Sequence, residues 1–316
     1  MSETISLAVI VLTYNEMLHL GRALDTLKPL GAKVYVVDSG STDGTVELAR
    51  ARGAEVYSHP FENYARQFQW ALDTLPLACD WVMRLDADEI LEADLIAELR
   101  LRLPQLPVRI TGINLNRKTI FQGKWIRHGG RYPLWMLRIW RCGKARIEDR
   151  WMDENMYLTE GETVNFHGGF ADWNLNDLTF FTEKHNHYAS REALDVLNRR
   201  HGIFEIAEDL TETSTARQAR IKRFFKEKIY NRIPFELSTL AYFLLRYVLQ
   251  LGFLDGREAF TYHALQGFWY RFLVGAKLRE MEALRTECNS QEELIARLEK
   301  LTRKKIQKKR TPQAEQ

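Results

Sequence analysis

Two aspartates, Asp86 and Asp88, follow an apolar run and are separated by one small residue, Ala87. In an extended segment the side chains of residues i and i+2 point the same way, so both carboxylates can face one divalent cation. Such a cation acts as a Lewis acid and neutralises the charge that grows on a departing diphosphate. The alternative is an acidic turn that caps the next helix, for which Asp94 is also placed. We predict a metal site at Asp86 and Asp88, with Mn²⁺ or Mg²⁺ as the ion.

Two more polar clusters follow apolar runs earlier in the chain. The segment Thr13-Tyr14-Asn15-Glu16 follows the run from Leu7 to Leu12, and Asp38 opens a second cluster after Val34 to Val37. In open α/β sheets, ligands bind beyond the carboxyl ends of the strands. All three clusters are therefore expected to converge on one crevice.

The elements that must position these clusters alternate along the first hundred residues. Short apolar runs alternate with helical patterns there, which is typical of βαβ units around a parallel sheet covered on both faces. From about 104 to 170 the pattern becomes strand-like and aromatic, and 174–200 reads as a helix. The expected fold class is α/β, a doubly wound mixed sheet followed by a helical C-terminal region.

Composition narrows the class of protein. With 316 residues, 45% hydrophobic and 28% charged, the chain is typical of a globular enzyme and not of a fibrous or disordered protein. Its three cysteines are far apart and lack metal-ligand spacing, so we expect neither a disulfide framework nor a zinc site, as suits a reducing cytoplasm. The run Ile5 to Leu12 leads directly into a polar cluster, which indicates a strand instead of a signal peptide.

Charge is unevenly distributed behind a net value of +3. The first hundred residues are acidic, as suits a cation site, and residues 101–150 are strongly basic, as suits a phosphate-bearing partner. Nucleic-acid binding would explain a basic tail but none of the acidic strand ends, so no nucleic-acid partner is expected.

Two largely apolar stretches, Phe235 to Leu254 and Ala259 to Ala276, lie in the C-terminal third. Both are interrupted by polar and charged residues, whereas a spanning helix needs about 20 predominantly apolar residues. We interpret them as interfacial helices, with a buried core hairpin or a re-entrant pair as alternatives. An amphipathic helix is predicted from Glu282 to Leu301, and a polybasic tail at 303–310 could hold to anionic lipid. We therefore predict peripheral attachment to an anionic membrane surface.

As a set, the three polar clusters resemble those of the family 2 glycosyltransferases of the GT-A fold. The resemblance covers about the first 170 residues. Later segments resemble the bacterial subgroup that adds sugars to lipopolysaccharide cores or lipid-linked glycans. The segments that carry these resemblances are Val9 to Glu16, Asp38 to Thr45, Leu85 to Glu89, Arg131-Tyr132-Pro133, Leu137 to Arg141 and Gly252 to Gly256.

The resemblance implies roles for the first two clusters. Thr13, Asn15 and Glu16 would line a nucleotide pocket. Asp38 would hydrogen-bond the base or ribose, most commonly of uridine. The residues themselves leave an alternative open, because the amides of the turn at 38–44 could satisfy a buried carboxylate without any ligand.

One departure from the family pattern concerns the helix before the Asp86 strand. A basic residue and an asparagine are usual there, but this chain has Phe68 and Gln69. Arg66, one turn away, is our candidate for binding the donor diphosphate, with a solvated helix face as the alternative.

Direct displacement at the sugar carbon needs a general base within reach of the acceptor hydroxyl. The acidic pair Asp153 and Glu154 resembles the pair at the acceptor end of the family's site. That resemblance puts the base at Glu154, with Asp153 second, and an exposed acidic turn is the alternative.

Several residues further along are candidates for phosphate or metal contacts. His167 resembles a position that in some relatives meets the metal or phosphate, although a packed polar histidine is equally compatible with the pattern. Lys184 is a candidate for closing over the diphosphate. A basic run could grip acceptor phosphates or could be scattered surface charge. The run comprises Lys118, Lys124, Arg127, His128, Arg131, Arg138 and Arg141.

The resulting expectation is an inverting transferase that moves a hexose from a UDP-sugar to a hydroxyl of a glycolipid. The acceptor would be a lipopolysaccharide or a lipid-linked oligosaccharide at the cytoplasmic face of the inner membrane. The alternative is a polyprenyl-phosphate sugar transferase. We predict a transferase domain over 1–205, a helical membrane-interface region over 206–285, and an amphipathic helix with a polybasic tail over 286–316.

Overall fold

The computed structural model describes residues 5–148, 155–204, 234–302 and 306. Within them the chain divides into two compact units. The first unit contains described residues up to 148, residues 155–175 and the short segment 250–259, and the second contains the other described residues.

A sheet of nine strands forms the first unit, as counted over the described residues. Its main strands are β1 (Leu7–Thr13), β2 (Lys33–Asp38), β3 (Glu55–Ser58), β4 (Trp81–Arg84), β5 (Glu89–Leu91), β6 (Ile110–Phe121), β8 (Trp135–Arg141) and β11 (Glu162–Trp173). They lie in the order β3-β2-β1-β4-β8-β6-β11-β5, and the short strand β7 (Lys124–Ile126) pairs with β6 outside this order. Two further short strands, β9 (Ala145–Ile147) and β10 (Met156–Leu158), pair with each other.

The first four strands of the chain are parallel, and β8 then runs antiparallel to both β4 and β6. This insertion brings the start of β8 beside the carboxyl end of β4, with Met83 opposite Ile139. The sheet is therefore mixed, and this α/β arrangement fits the expected GT-A type.

Helices cover both faces of the sheet, because its central strands are apolar on both sides. One core contains Val9, Val11 and Met83, and the other contains Ile10, Val37 and Val82. The helices of this unit are α1 (Met17–Leu27), α2 (Thr45–Ala51), α3 (Tyr64–Thr74) and α4 (Ala93–Arg102). The predicted alternation of strand and helix is confirmed.

The second unit is helical where the structure describes it. Its helices are α5 (Leu178–His201), α6 (Phe235–Leu244), α8 (Tyr270–Glu287) and α9 (Gln291–Thr302). α7 (Arg257–Tyr262) runs from the short segment of the first unit into the second. Two π-helical segments, Leu245–Leu249 and His263–Trp269, extend α6 and precede α8. By its contacts α5 groups with this unit, and the domain bounds predicted from the sequence stay a prediction.

The prediction of a single helix from Glu282 to Leu301 is wrong, because one helix ends at Glu287 and the next begins at Gln291. Ser290 caps the new helix: its Oγ accepts a hydrogen bond from the Glu293 amide at 3.1 Å. The Glu293 carboxylate in turn accepts from the Asn289 amide. This reciprocal arrangement is a helix start signal, and it outweighs the continuing apolar spacing.

Over the described residues, the structure contains no helix that is both long enough and apolar enough to cross a bilayer. The predicted polybasic tail at 303–310 lies almost wholly outside the described residues, and membrane association stays a prediction.

Candidate active site

Asp38 ends β2 and is almost fully buried. Its Oδ1 accepts hydrogen bonds from the Gly40 and Ser41 amides at 2.9 and 2.8 Å. Its Oδ2 accepts from Thr13 Oγ1 at 2.9 Å and from Ser41 Oγ at 2.5 Å. Burial alone would raise the pKa of Asp38, but these hydrogen bonds outweigh it and hold the pKa below its usual value. The turn thus satisfies the carboxylate in the way the sequence left open, and contact with a nucleotide stays a prediction.

The loop after β1 is tied to the loop after β2. Asn15 adopts a left-handed backbone with φ of 55°, donates its amide to Ser41 Oγ, and accepts from the Thr42 amide at 2.9 Å. The Glu16 amide donates to Thr45 Oγ1 at 2.8 Å. These bonds join the two strand ends into one rigid edge, and they bring Thr13, Asn15, Glu16 and Asp38 together as predicted from their strand-end positions.

Asp86 follows β4 and lies among cations. Its Oδ1 accepts from Tyr64 Oη at 2.6 Å and lies 3.4 Å from Arg84 Nε. Its Oδ2 lies 3.5 Å from Arg138 Nη2. Burial raises the pKa of Asp86, but the two guanidinium groups and the tyrosine hydroxyl outweigh it and hold this pKa far below its usual range. Asp86 is therefore ionised at every pH at which the protein would work.

Arg138, on β8, forms a buried ion pair with Glu89. Its Nη2 lies 2.7 Å from Glu89 Oε1, and each side chain is only 1% exposed. Burial raises the pKa of Glu89, and the Asp86 carboxylate raises it further, despite the opposing effect of Arg138. Arg138 Nε and Nη1 are also buried, yet they have no hydrogen-bond partner among the described residues. Buried donors without partners are costly.

Asp88 lies two residues beyond Asp86 and is partly exposed. Its Oδ2 accepts from Asn174 Nδ2 at 3.0 Å, and its backbone carbonyl accepts from the Trp173 amide at 3.0 Å. Two carboxylates suit Mg²⁺ or Mn²⁺, because such ions are commonly held by one or two carboxylates, with water and substrate phosphate completing the shell. No group of three or more His, Cys, Asp or Glu side chains with metal-binding geometry occurs in the described ranges.

His167 lies on β11, with its side chain exposed. Its ring meets the Trp135 ring edge-on at 5.4 Å, and its amide donates to Glu98 Oε2 on α4. The structure does not gather it with Asp86 and Asp88 into a metal cluster of described residues. Its predicted metal role is therefore without support from geometry and stays a prediction.

Arg66 is exposed on the first turn of α3, where its Nη1 lies 2.9 Å from Glu62 Oε2. Phe68 is fully buried and makes an edge contact with Trp140, and Gln69 Oε1 accepts from the Ile147 amide at 3.4 Å. The unusual residues of this helix thus pack the sheet and support β9. Contact between Arg66 and a diphosphate stays a prediction.

The basic run does not act as one surface. Arg141 donates to the carbonyls of Ile110 and Leu106, and Lys118 pairs with Glu92, so both hold the scaffold. Arg138 is buried at the crevice. These three therefore belong to the interior and to the site, and not to scattered surface charge.

Asp255, from the C-terminal segment Gly252 to Gly256, anchors the loop between β7 and β8. Its Oδ2 accepts from the amides of Arg127 and His128 at 2.7 and 2.6 Å, and its Oδ1 lies 2.5 Å from His128 Nδ1. This contact gives a physical reason for a motif that the sequence offered only as a resemblance.

Lys184 lies on α5 in the second unit, within 6 Å of the Phe180 and Tyr188 rings. Its predicted contact with a diphosphate stays a prediction. The predicted base Glu154 and its neighbour Asp153 lie outside the described residues.

Three residues of the Asp86 cluster were not predicted as site residues: Tyr64, Arg84 and Glu89. Glu89 is the one with a sequence signal, because it adjoins the aspartate pair. Tyr64 and Asp86 are 22 residues apart in the sequence, and no local sequence pattern predicts their contact.

Comparison with known proteins decides the family. The model of the family described as "Glycosyl transferase family 2" matches residues 8–170, about half of the chain. The chain belongs to glycosyl transferase family 2. The match contains Thr13, Asp38, Asp86 with its described partners, and Glu154.

Similar proteins point the same way. An uncharacterised glycosyltransferase, RP128 of Rickettsia prowazekii, is 36% identical over 93 residues, which cover 29% of this chain and 31% of that protein. The match thus spans about a third of that relative's length. The lipopolysaccharide core biosynthesis glycosyltransferase LpsC of Rhizobium meliloti is 29% identical over 171 residues, covering 52% of this chain and 61% of LpsC.

Among solved structures, S. aureus TarS is similar at 15% identity and a TM-score of 0.39, over 60% of this chain and 40% of TarS. Glucosyl-3-phosphoglycerate synthase from Mycobacterium tuberculosis is similar at 24% identity and a TM-score of 0.31, over 36% of this chain and 44% of that protein. Both TM-scores are low, and membership of the family rests on the sequence match.

Proposed function

We propose that this glycosyltransferase is an inverting enzyme that moves a hexose from a UDP-sugar to a hydroxyl of a glycolipid. The acceptor is a lipopolysaccharide core or a lipid-linked oligosaccharide, and the reaction takes place at the cytoplasmic face of the membrane. The proposal combines the site's charges with the similarity to LpsC, whose name assigns that protein to lipopolysaccharide core biosynthesis.

The observation that best supports a donor with a diphosphate is the incomplete hydrogen bonding of the Arg138 guanidinium. Its Nε and Nη1 are buried beside Asp86 and have no partner among the described residues. Guanidinium nitrogens donate hydrogen bonds to phosphate oxygens, and a diphosphate donor would bring such oxygens to this edge. Glu89 and Asp86 hold the guanidinium through its other nitrogen, Nη2.

The nucleoside would bind at the rigid edge formed by the loops after β1 and β2. Thr13, Asn15, Glu16 and Asp38 lie there, with Asp38 kept ionised by its hydrogen bonds. An ionised carboxylate accepts a hydrogen bond from an imide N–H or a ribose hydroxyl, and uridine presents both. Uridine would take the place of one of the four protein donors that surround Asp38.

Asp86 and Asp88 would hold Mn²⁺ or Mg²⁺ on the diphosphate, and the ion would neutralise charge on the leaving UDP. Asp86 is the more constrained of the two, because Tyr64, Arg84 and Arg138 fix its oxygens. The Asp88 carboxylate accepts from Asn174 Nδ2. We assign direct metal contact to both aspartates.

Glu154 would accept the proton of the acceptor hydroxyl as the new bond forms. This role separates the proposal from a polyprenyl-phosphate acceptor, whose phosphate oxygen is already ionised. Glu154→Gln should lower transfer to a hydroxyl by about 10²-fold or more. An unchanged rate with a lipid phosphate as acceptor would favour the polyprenyl alternative.

The test is a screen of radiolabelled UDP-sugars against bacterial membrane lipid extracts, with and without EDTA. We expect one sugar to enter a lipid fraction, with loss of transfer on chelation and recovery on addition of Mn²⁺ or Mg²⁺. Transfer that EDTA leaves unchanged would contradict the metal assignment. A product that releases its sugar under mild acid, as a sugar phosphate does, would contradict the hydroxyl acceptor.

A further inference from the structure

The second unit contains a hairpin whose two arms expose apolar side chains. Leucines and valine follow helical spacing along α6 and the π segment after it, and phenylalanines do so along the other arm. The exposed residues are Leu237, Leu240, Leu244, Leu245, Val248, Leu249, Phe260, Phe268 and Phe272. Leu249 is 74% exposed. Contiguous apolar surface of this kind marks a contact with another molecule or with lipid.

A cationic cluster lies within this apolar hairpin. The guanidinium of Arg271 stacks on the Tyr242 ring, with its central carbon 3.8 Å from the ring centre. The guanidinium of Arg246 lies 5.5 Å from the same ring. Arg246 is only 4% exposed, and its Nη1 donates to Gln266 Oε1 at 2.9 Å. Two positive charges therefore share one aromatic ring.

Both arms widen at this cluster. Arg246 lies in the π segment Leu245–Leu249, and Gln266 lies in the π segment His263–Trp269. Wide turns of this kind are rare and are concentrated at functional sites. Here they bring a buried guanidinium and an amide together between two helices whose outer faces are apolar.

The cluster is electropositive. Burial raises the pKa of Tyr242, but Arg271 and Arg246 outweigh that effect and lower it. In the part of the chain that the structure describes, Arg271 forms no ion pair with a carboxylate. Two guanidinium groups thus concentrate positive charge at one aromatic ring, and the planar guanidinium is well suited to binding phosphate.

We propose that Arg246, Arg271 and Tyr242 form a binding site for the phosphate of an anionic phospholipid, with the exposed leucines and phenylalanines set in the acyl region beside it. The guanidinium pair would bind the lipid phosphate, and the apolar side chains around it would contact the acyl chains. The site rests on the proposed work at a membrane surface, and it adds the lipid class and the residues that bind it.

The test uses the full chain and flotation with two kinds of vesicle, phosphatidylcholine alone and phosphatidylcholine with phosphatidylglycerol. We expect binding to rise with phosphatidylglycerol. Arg271→Gln should reduce that binding by about tenfold, more than the roughly fivefold that one basic residue at an anionic surface contributes. Arg271→Lys, which keeps the charge but loses the stacked plane, should recover only part of it.

Arg279→Gln is the matched control, because it removes one positive charge from the same helix, where Arg279 is 67% exposed and pairs with Glu236. Equal losses for the two glutamine variants would show diffuse attraction and overturn the site. Thermal unfolding of each variant checks its fold. If Arg271→Gln does not fold, Arg271→Lys takes its place, and binding equal to that of the parent would then overturn the proposal.

A parallel measurement of UDP release from UDP-sugar in detergent separates this inference from the proposed function. If UDP release is intact but the Arg271 and Arg279 variants bind phosphatidylglycerol vesicles equally well, the lipid site alone is contradicted. Absence of release from every UDP-sugar, with the expected vesicle binding, defeats the proposed donor alone.

Discussion

The two edges of the candidate site satisfy their charges in opposite ways. At the edge formed by the loops after β1 and β2, protein donors surround the Asp38 carboxylate, and Asn15 is bonded through both its amide and its side chain. At the Asp86 edge, Arg138 Nε and Nη1 are buried and have no hydrogen-bond partner among the described residues. The protein therefore hydrogen-bonds the carboxylate of the first edge fully and the guanidinium of the second edge only in part. Under the proposed function, the nucleoside would bind at the first edge and the diphosphate at the second.

The largest effect should come from the Asp86 edge. We expect Asp88→Asn to lower sugar transfer by about 10³-fold, since a Lewis-acid contact contributes several kcal/mol to transition-state stabilisation. Radiolabel transfer measured across Mn²⁺ concentrations checks this. Asp73→Asn, an exposed change on α3, should leave transfer as it is. If Asp88→Asn and Asp73→Asn transfer sugar at the same rate, Asp88 has no role in the reaction.

Arg138→Met should lower transfer by about a hundredfold and also destabilise the fold, because Glu89 would be left buried without its cation, a loss of about 3 kcal/mol. The loss should grow with pH. The folded pKa of Glu89 is raised to about 8, so the native state holds its proton more tightly than the unfolded state does, and stability falls as pH rises from about 4.5 through about 8. Arg138 opposes that rise, so its removal should raise the pKa of Glu89 further and make the fall in stability larger.

Urea unfolding at several pH values measures this effect. Adding Glu89→Gln should restore much of the stability and remove the pH dependence, without restoring transfer. A double variant that recovers transfer would mean that Arg138 acts only as a structural partner of Glu89.

Tyr64→Phe removes a hydrogen bond of 2.6 Å to a charged oxygen of Asp86. We expect about a tenfold loss in kcat/KM, because such bonds contribute about 1.5 to 3 kcal/mol and part of that serves to hold Asp86 in place. Steady-state kinetics with varied UDP-sugar measures it. Tyr57→Phe, which removes an exposed hydroxyl on β3, is the control. If Tyr64→Phe changes stability but leaves the kinetic constants unchanged, Tyr64 does not position Asp86 for the reaction.

Asp38→Asn should have the smallest effect, about 1 to 2 kcal/mol of stability at neutral pH, because an amide cannot accept from all four donors. The folded pKa of Asp38 lies below its usual 3.8, so the stability it contributes is present above that pH and is lost as pH falls through the folded value. The parent and the variant should therefore converge in acid. Parallel unfolding curves down to low pH would instead show that this edge tolerates the amide.

Sequence patterns predicted the first edge better than the second, for a physical reason. Thr13 and Asp38 each end an apolar run, so alternation along the chain was enough to bring them together. The Asp86 cluster depends on β8 pairing antiparallel with β4, which carries Arg138 to a carboxylate 52 residues away. Local propensity contains no information on that register. The interruption of the helix at Cys288 was not predicted, because apolar residues continue at helical spacing across it and Ser290 was not recognised as a cap.

The contact between Asp255 and the loop at 127–128 has a consequence for how the protein is made. A loop of the catalytic unit is held by a residue that the ribosome adds more than a hundred positions later. The sheet can form early in synthesis, but this corner of it closes only after residue 255 has emerged. A chain stopped at residue 205 would therefore keep the strand ends and lose the anchor of that loop.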